Sequence, residues 1–187
     1  MSETSAPMVD VNKYFTQEEV KRIIMAGRTH RDKLLIMTLA YTGRRVSEIV
    51  RELTPYDIDE EKNLINYTIL KRKRPTKSLL PANPYLVEKL MQWVRVRGIE
   101  EHTPIFNISR QRADVIIKDA AKKVGIRNAH AHMFRHSFAI QSSQKLKSPA
   151  DLVQLKDLLA HGRIDTTMFY LKFNPKEKRQ LVKDLWD

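Results

Sequence analysis

The sequence predicts an α+β domain, mostly α-helical with a small three-stranded antiparallel sheet. Three observations carry this expectation. Thr16-Gln17-Glu18-Glu19 is a Thr-x-x-Glu capping box that opens a helix. Leu64-Ile65-Asn66-Tyr67-Thr68-Ile69-Leu70 is rich in β-branched and aromatic residues and stands before a basic turn and a second extended run. From Asn83 onward, helix-length segments alternate with Asn-Pro, glycine and Ser-Pro punctuation.

Taken in order, residues 1–12 hold Ser, Thr and Pro without periodicity and read as a flexible N-terminal arm, with the domain proper spanning 13–187. The first helix runs from the capping box to near Gly27. His30 to Tyr41 is apolar enough (Leu34, Leu35, Ile36, Met37, Leu39) for a buried helix that Gly43 stops. Val46 to Leu53 forms a short helix closed by Thr54-Pro55. The strand 64–70 pairs through the turn Lys71–Thr76 with Lys77–Pro81. Asn83-Pro84 starts a helix to Arg97, before Gly98, and another spans Ser109 to Lys123, before Gly125. Further helices are expected near 132–145, 150–160, 165–172 and 175–186, with no internal repeat.

A chain of 187 residues with 42% apolar content supports one compact domain with a real core. Lys and Arg number 34 against 22 Asp and Glu, a net charge of +12, which predicts attraction to a polyanion, nucleic acid first. The absence of cysteine excludes disulfides, thiol catalysis and cysteine metal sites. No apolar run approaches the roughly 20 residues of a membrane span, and a signal-peptide core is lacking, so a cytoplasmic protein with no membrane partner is expected.

Chemistry concentrates in a few places. Thr42-Gly43-Arg44-Arg45-Val46-Ser47-Glu48 and His132-Met133-Phe134-Arg135 supply arginines, whose guanidinium groups stay ionised and present paired donors to phosphate. Histidines can donate to the same oxygens or accept a proton: His161 suits the first role and His132 either. Tyr170, nine residues after His161, is a candidate nucleophile, since a tyrosyl phosphoester preserves bond energy for a reverse step. The turn Lys71-Arg72-Lys73-Arg74-Pro75-Thr76-Lys77 holds five cations in seven residues, any lysine of which can protonate a leaving oxygen. Singly, each has an ordinary reading as a packing tyrosine, a chance His-x-x-Arg match, a solvated turn or arginines at the end of a helix dipole. Their order and spacing together are harder to obtain by chance.

With these residues in view, the chain resembles the catalytic domain of the tyrosine recombinases, the phage integrase and Xer family. Thr42 to Glu48 is similar to that family's Thr-Gly-x-Arg-x-x-Glu and makes Arg45 the first catalytic arginine. His132 to Ala139 is similar to His-x-x-Arg-His-(Ser/Thr)-Phe-Ala and makes Arg135 the second, with His130 outside the count. Leu159-Ala160-His161 and Thr166-Thr167-Met168-Phe169-Tyr170 resemble the third box, with Ala160 replacing its glycine. The resemblance implies Arg45, Lys73, His132, Arg135, His161 and Tyr170 as catalytic residues, with Glu48 and His136 supporting them. Lys73 is chosen because it stands eight residues before Pro81, with Lys71 second; Arg72 and Arg74 replace the glycines usual beside it. Arg44, Lys71, Arg72, Arg74 and Lys77 are then read as DNA contacts.

The resemblance further implies site-specific DNA recombination through a 3′-phosphotyrosyl intermediate, with no metal or other cofactor. The implied partners are double-stranded DNA, four protomers assembled on it, and accessory proteins. The segment 174–187 is a candidate for exchange between protomers, and a separate N-terminal core-binding domain is expected to be absent. The alternatives are type IB topoisomerase-like relaxation and a non-catalytic basic DNA-binding accessory protein.

Overall fold

The computed structural model describes residues 14–70, 75–146 and 148–159. The expected arm at 1–12, the helices near 165–172 and 175–186 and the segment 174–187 lie outside the described residues.

The chain opens as its capping box dictates. Helix α1 (Gln17–Ala26) starts at Thr16, whose hydroxyl accepts from the Glu19 amide while the Glu19 carboxylate accepts from the Thr16 amide. It buries Val20, Ile23 and Ile24. Helix α2 (His30–Thr42) is the central element. Leu34, Leu35, Ile36 and Leu39 are all buried on it, and it packs against α1, α3, α4 and α5. Apolar contact on so many sides explains a sequence with little amphipathic contrast. Gly43 ends it in the left-handed region, φ 58°.

Helical winding resumes after Gly43, but not as the plain α-helix expected over 46–53. Glu48–Glu52 forms a π-helical turn in which Glu48, Ile49 and Val50 are buried. Such widened turns are rare and frequently fall at functional sites. Pro55–Asp57 then makes a single 3₁₀ turn, its Asp57 carboxylate capping the Thr54 amide.

Three strands follow, β1 (Ile58–Asp59), β2 (Leu64–Ile69) and β3 (Thr76–Pro81), antiparallel in the order β1-β2-β3. The β2–β3 register pairs Ile65 with Leu80 and Tyr67 with Ser78. Alternation along β2 sends Ile65, Tyr67 and Ile69 into the interior. Helix α3 (Pro84–Arg97) is capped by Asn83 and ended by Gly98, and α4 (Arg110–Lys123) is capped by Ser109. Helices α5 (Ala131–Ser143) and α6 (Pro149–Leu158) complete the described chain, α6 with a Ser148/Asp151 capping box.

The main core lies between α2, the inner face of the sheet and the buried faces of α1, α3, α4 and α5. A smaller cluster of Ala139, Ile140, Leu155 and Leu159 fastens α6 to α5. The stretch before α1 is tied to α5 as well. The Phe15 amide donates to Ser137 Oγ at 2.7 Å, Gln141 Nε2 donates to the Phe15 carbonyl, and the Phe15 ring packs on Phe134.

Candidate active site

The turn after Gly43 brings Arg44, Arg45 and Glu48 to the N-terminal end of α5. Glu48 is buried and its carboxylate organises the turn. Its Oε1 accepts from Arg45 Nη1 at 3.0 Å and its Oε2 from the Arg45 amide at 3.2 Å. Arg45 is thereby aimed while its side chain stays 24% exposed. A clamped but accessible guanidinium can present its remaining donors to an anion.

Arg135 enters from the other side. It is buried on α5, with Nη1 donating to the Gly43 carbonyl at 2.9 Å and Nη2 donating to the Leu159 carbonyl. One guanidinium therefore joins the end of α2 to the end of α6. Gly43 is required there twice over: its φ is positive, and a Cβ would lie 2.6 Å from the Phe138 ring.

Arg45, Arg135 and His132 line one cleft of about 300 Å³. His132 precedes Arg135 by one helical turn, and the His136 ring meets it edge-on with centroids 4.6 Å apart. His132 is open to solvent, yet partial desolvation, then His136, Arg135, His130 and Arg45, push its pKa down to about 4. Desolvation and the cationic charge of Arg135 and His130 also lower that of His136. Around neutral pH His132 is therefore a neutral imidazole with a lone pair, able to accept a proton.

The same cleft is lined by residues that the motifs do not mark: Arg110, Asp114 and Lys118 from α4, and His130 at the start of α5. The i, i+4, i+8 spacing of 110, 114 and 118 puts them on one helical face, a signal legible in the sequence. His130 falls outside the His-x-x-Arg count but stands at the cleft wall.

Two expected DNA contacts are engaged by protein partners, Arg44 at the wall of the same cleft and Lys77 on β3. Arg44 is buried, its Nη2 3.2 Å from Glu48 Oε2, its Nη1 donating to the Leu158 carbonyl at 3.3 Å, and its guanidinium 4.8 Å from the centre of the Tyr67 ring. Its guanidinium is thus turned inward and committed to protein partners, although the residue lines the cleft. Burial pushes its pKa down, opposed chiefly by Glu48, while burial pushes the Tyr67 phenol up. Lys77 is half exposed, and its ammonium is bound to the buried Asp57 carboxylate, which braces β3 against the turn before β1. Lys71, Arg72, Lys73 and Arg74, and with them His161 and Tyr170, lie outside the described residues. Among the described residues no group of three or more His, Cys, Asp or Glu is placed to hold a metal ion.

The helical domain with its three-stranded antiparallel sheet has the architecture of a tyrosine recombinase catalytic domain. It aligns with the crystal structure of XerA recombinase at a TM-score of 0.76 and 22% identity, over 100% of this chain and 67% of that one. Against the catalytic domain of bacteriophage HP1 integrase the TM-score is 0.66 at 21% identity, over 91% of this chain and 93% of that one. The chain belongs to the phage integrase family, whose model matches residues 13–177. Its relatives include the tyrosine recombinase XerA of Pyrococcus horikoshii, 28% identical over an alignment of 181 positions that covers 91% of this chain and 60% of that protein. The chain thus spans about three fifths of the length of the curated relatives it matches.

Proposed function

We propose that the protein is a site-specific DNA recombinase that cleaves and rejoins strands through a 3′-phosphotyrosyl intermediate. The observation that carries this reading is the convergence of Arg45, His132 and Arg135 on one cleft in a domain of this family. The net charge of +12 supports DNA as the partner.

In the proposed reaction the Tyr170 oxygen attacks the scissile phosphorus. The phosphorus–tyrosyl oxygen bond forms as the bond to the 5′-oxygen breaks. His132 takes the phenolic proton, and Lys73 (or Lys71) protonates the departing 5′-oxygen. Arg45, Arg135 and His161 hold the non-bridging oxygens, where charge accumulates in the transition state. Guanidinium groups neutralise that charge themselves, so the scheme needs no metal ion. The 5′-hydroxyl of a partner strand reverses the step, which requires protomers assembled on paired duplexes, four in the full reaction. Segment 174–187 is the proposed contact between them.

A nicked suicide substrate tests the chemistry. The wild-type chain is expected to trap a covalent protein–DNA adduct and Tyr170→Phe to trap none. An adduct with Tyr170→Phe refutes the nucleophile, and supercoil relaxation without strand exchange refutes recombination in favour of topoisomerase action.

A further inference from the structure

Arg44 has no part in the phosphate clamp just described, yet its guanidinium is wholly buried beside it. Its contacts fall at two distant points of the chain. Nη2 pairs with Glu48, the carboxylate that aims Arg45, and Nη1 donates to the carbonyl of Leu158 at the end of α6. The next carbonyl, that of Leu159, accepts from Arg135. Consecutive carbonyls at the exit of α6 are thus held by two guanidiniums, one from the turn after α2 and one from α5. His161 follows Leu159 by two residues in the sequence.

Packing alone does not account for a cation here. Burial disfavours its charge, Glu48 already has Arg45 as a partner, and neither Arg44 Nε nor Nη2 makes a hydrogen bond, the contact of Nη2 with Glu48 being an ion pair. An apolar side chain of similar volume fills such a space without desolvating a charge, often at no loss of stability. What an apolar residue cannot do is fix Glu48 and the Leu158 carbonyl at once.

We propose that Arg44 is a positioning residue that locks the exit of α6 to the turn bearing Arg45, and so holds Glu48 and, through it, the Arg45 guanidinium in place for the reaction. The catalytic part of this inference rests on the function proposed above; the mechanical link does not. A misplacement of about 1 Å originating away from the chemistry can cost about a hundredfold in rate. The penalty therefore falls on cleavage of bound DNA rather than on binding.

The test compares the wild-type chain with Arg44→Met and Arg44→Lys. Hydrogen exchange without DNA is expected to rise about tenfold over residues 155–159 in Arg44→Met, the effect of one lost charge-assisted hydrogen bond, with α1 and α3 unchanged. On a suicide substrate, the cleavage rate at saturating DNA is expected to fall about tenfold to a hundredfold, with the half-saturating DNA concentration changed by less than about threefold. Arg44→Lys should recover part of the rate, since an ammonium serves Glu48 but cannot span both acceptors. Unchanged exchange over 155–159, or a wild-type cleavage rate in Arg44→Met, overturns the proposal. So does an unchanged rate with weakened DNA binding, which would make Arg44 a DNA contact, and so does exchange rising throughout the domain. A wild-type chain that forms no adduct refutes the proposed function, while the exchange measurement still decides the link.

Discussion

Replacing Gly43 by alanine imposes two separable penalties at the junction of α2 and the candidate site. The residue sits at φ 58°, and an added Cβ lies 2.6 Å from Cδ1 and 2.8 Å from Cγ of Phe138. Left-handed backbone costs alanine about 1–2 kcal/mol. Forcing a methyl against a packed ring costs about 1–3 kcal/mol more. The sum, roughly 2–5 kcal/mol, corresponds to a fall in Tm of roughly 5–15 °C for a domain of this size. Gly98 provides the control, because it too has φ 58° but a Cβ there meets nothing within 4 Å. Gly98→Ala should therefore show the backbone cost alone, about 1–2 kcal/mol. Thermal and urea denaturation followed by circular dichroism measures both variants. In a double-mutant cycle, Phe138→Ala in the Gly43→Ala background should recover at least about 1 kcal/mol relative to additivity. Since the Gly43 carbonyl holds Arg135, Gly43→Ala should also impair cleavage where Gly98→Ala does not. Equal Tm values for the two single variants refute the close-approach argument. Purely additive effects in the cycle refute the assignment to Phe138.

Two further outcomes follow from the site. His132 should titrate near pH 4 in the free protein, read from its imidazole resonances by NMR, and Arg135→Ala should move that midpoint upward. Because the folded pKa lies below the free value of about 6.5, the unfolded chain takes up the proton first, so this group's contribution is intact above 6.5 and declines as pH falls toward 4. A midpoint at or above 6.5 contradicts the cationic surroundings described for it. For Lys77→Met, the log–log salt slope of DNA binding should change by well under the roughly one unit that a phosphate-contacting lysine contributes. The same variant should lose about 1–2 kcal/mol of stability, because Asp57 Oδ1 is left without its cation. A slope reduced by a full unit restores Lys77 to the DNA surface.

The features legible in the sequence are those whose causes are local. Thr16 and Glu19 cap each other within one turn, Ile65, Tyr67 and Ile69 alternate along one strand, and Gly98 ends α3 where its backbone must turn left-handed. The grouping of Arg45, His132 and Arg135 could be anticipated only through the resemblance of their motifs to those of the family. Features set by distant partners could not. Strand β1 is two residues long and exists only because β2 pairs with it. The π-helical turn begins at Glu48, which is drawn inward between two guanidiniums. Arg44 and Lys77 look like surface cations in sequence; their destinations are fixed by Tyr67 and α6 in one case and by Asp57, twenty residues away, in the other. The face of α4 bearing Arg110 and Lys118 becomes part of the cleft only once α4 lies beside the start of α5.

The bridge made by Arg135 also orders events during synthesis. Its acceptors, Gly43 and Leu159, stand 92 residues before it and 24 after it. A polypeptide leaving the ribosome displays Gly43 and Arg45 long before either partner exists, and such non-local contacts close late because loop entropy must be overcome first. A prematurely ended chain lacking α6 leaves the Arg135 guanidinium without its Leu159 acceptor. The tie between the end of α2 and the end of α6 is therefore among the last contacts of the domain to close.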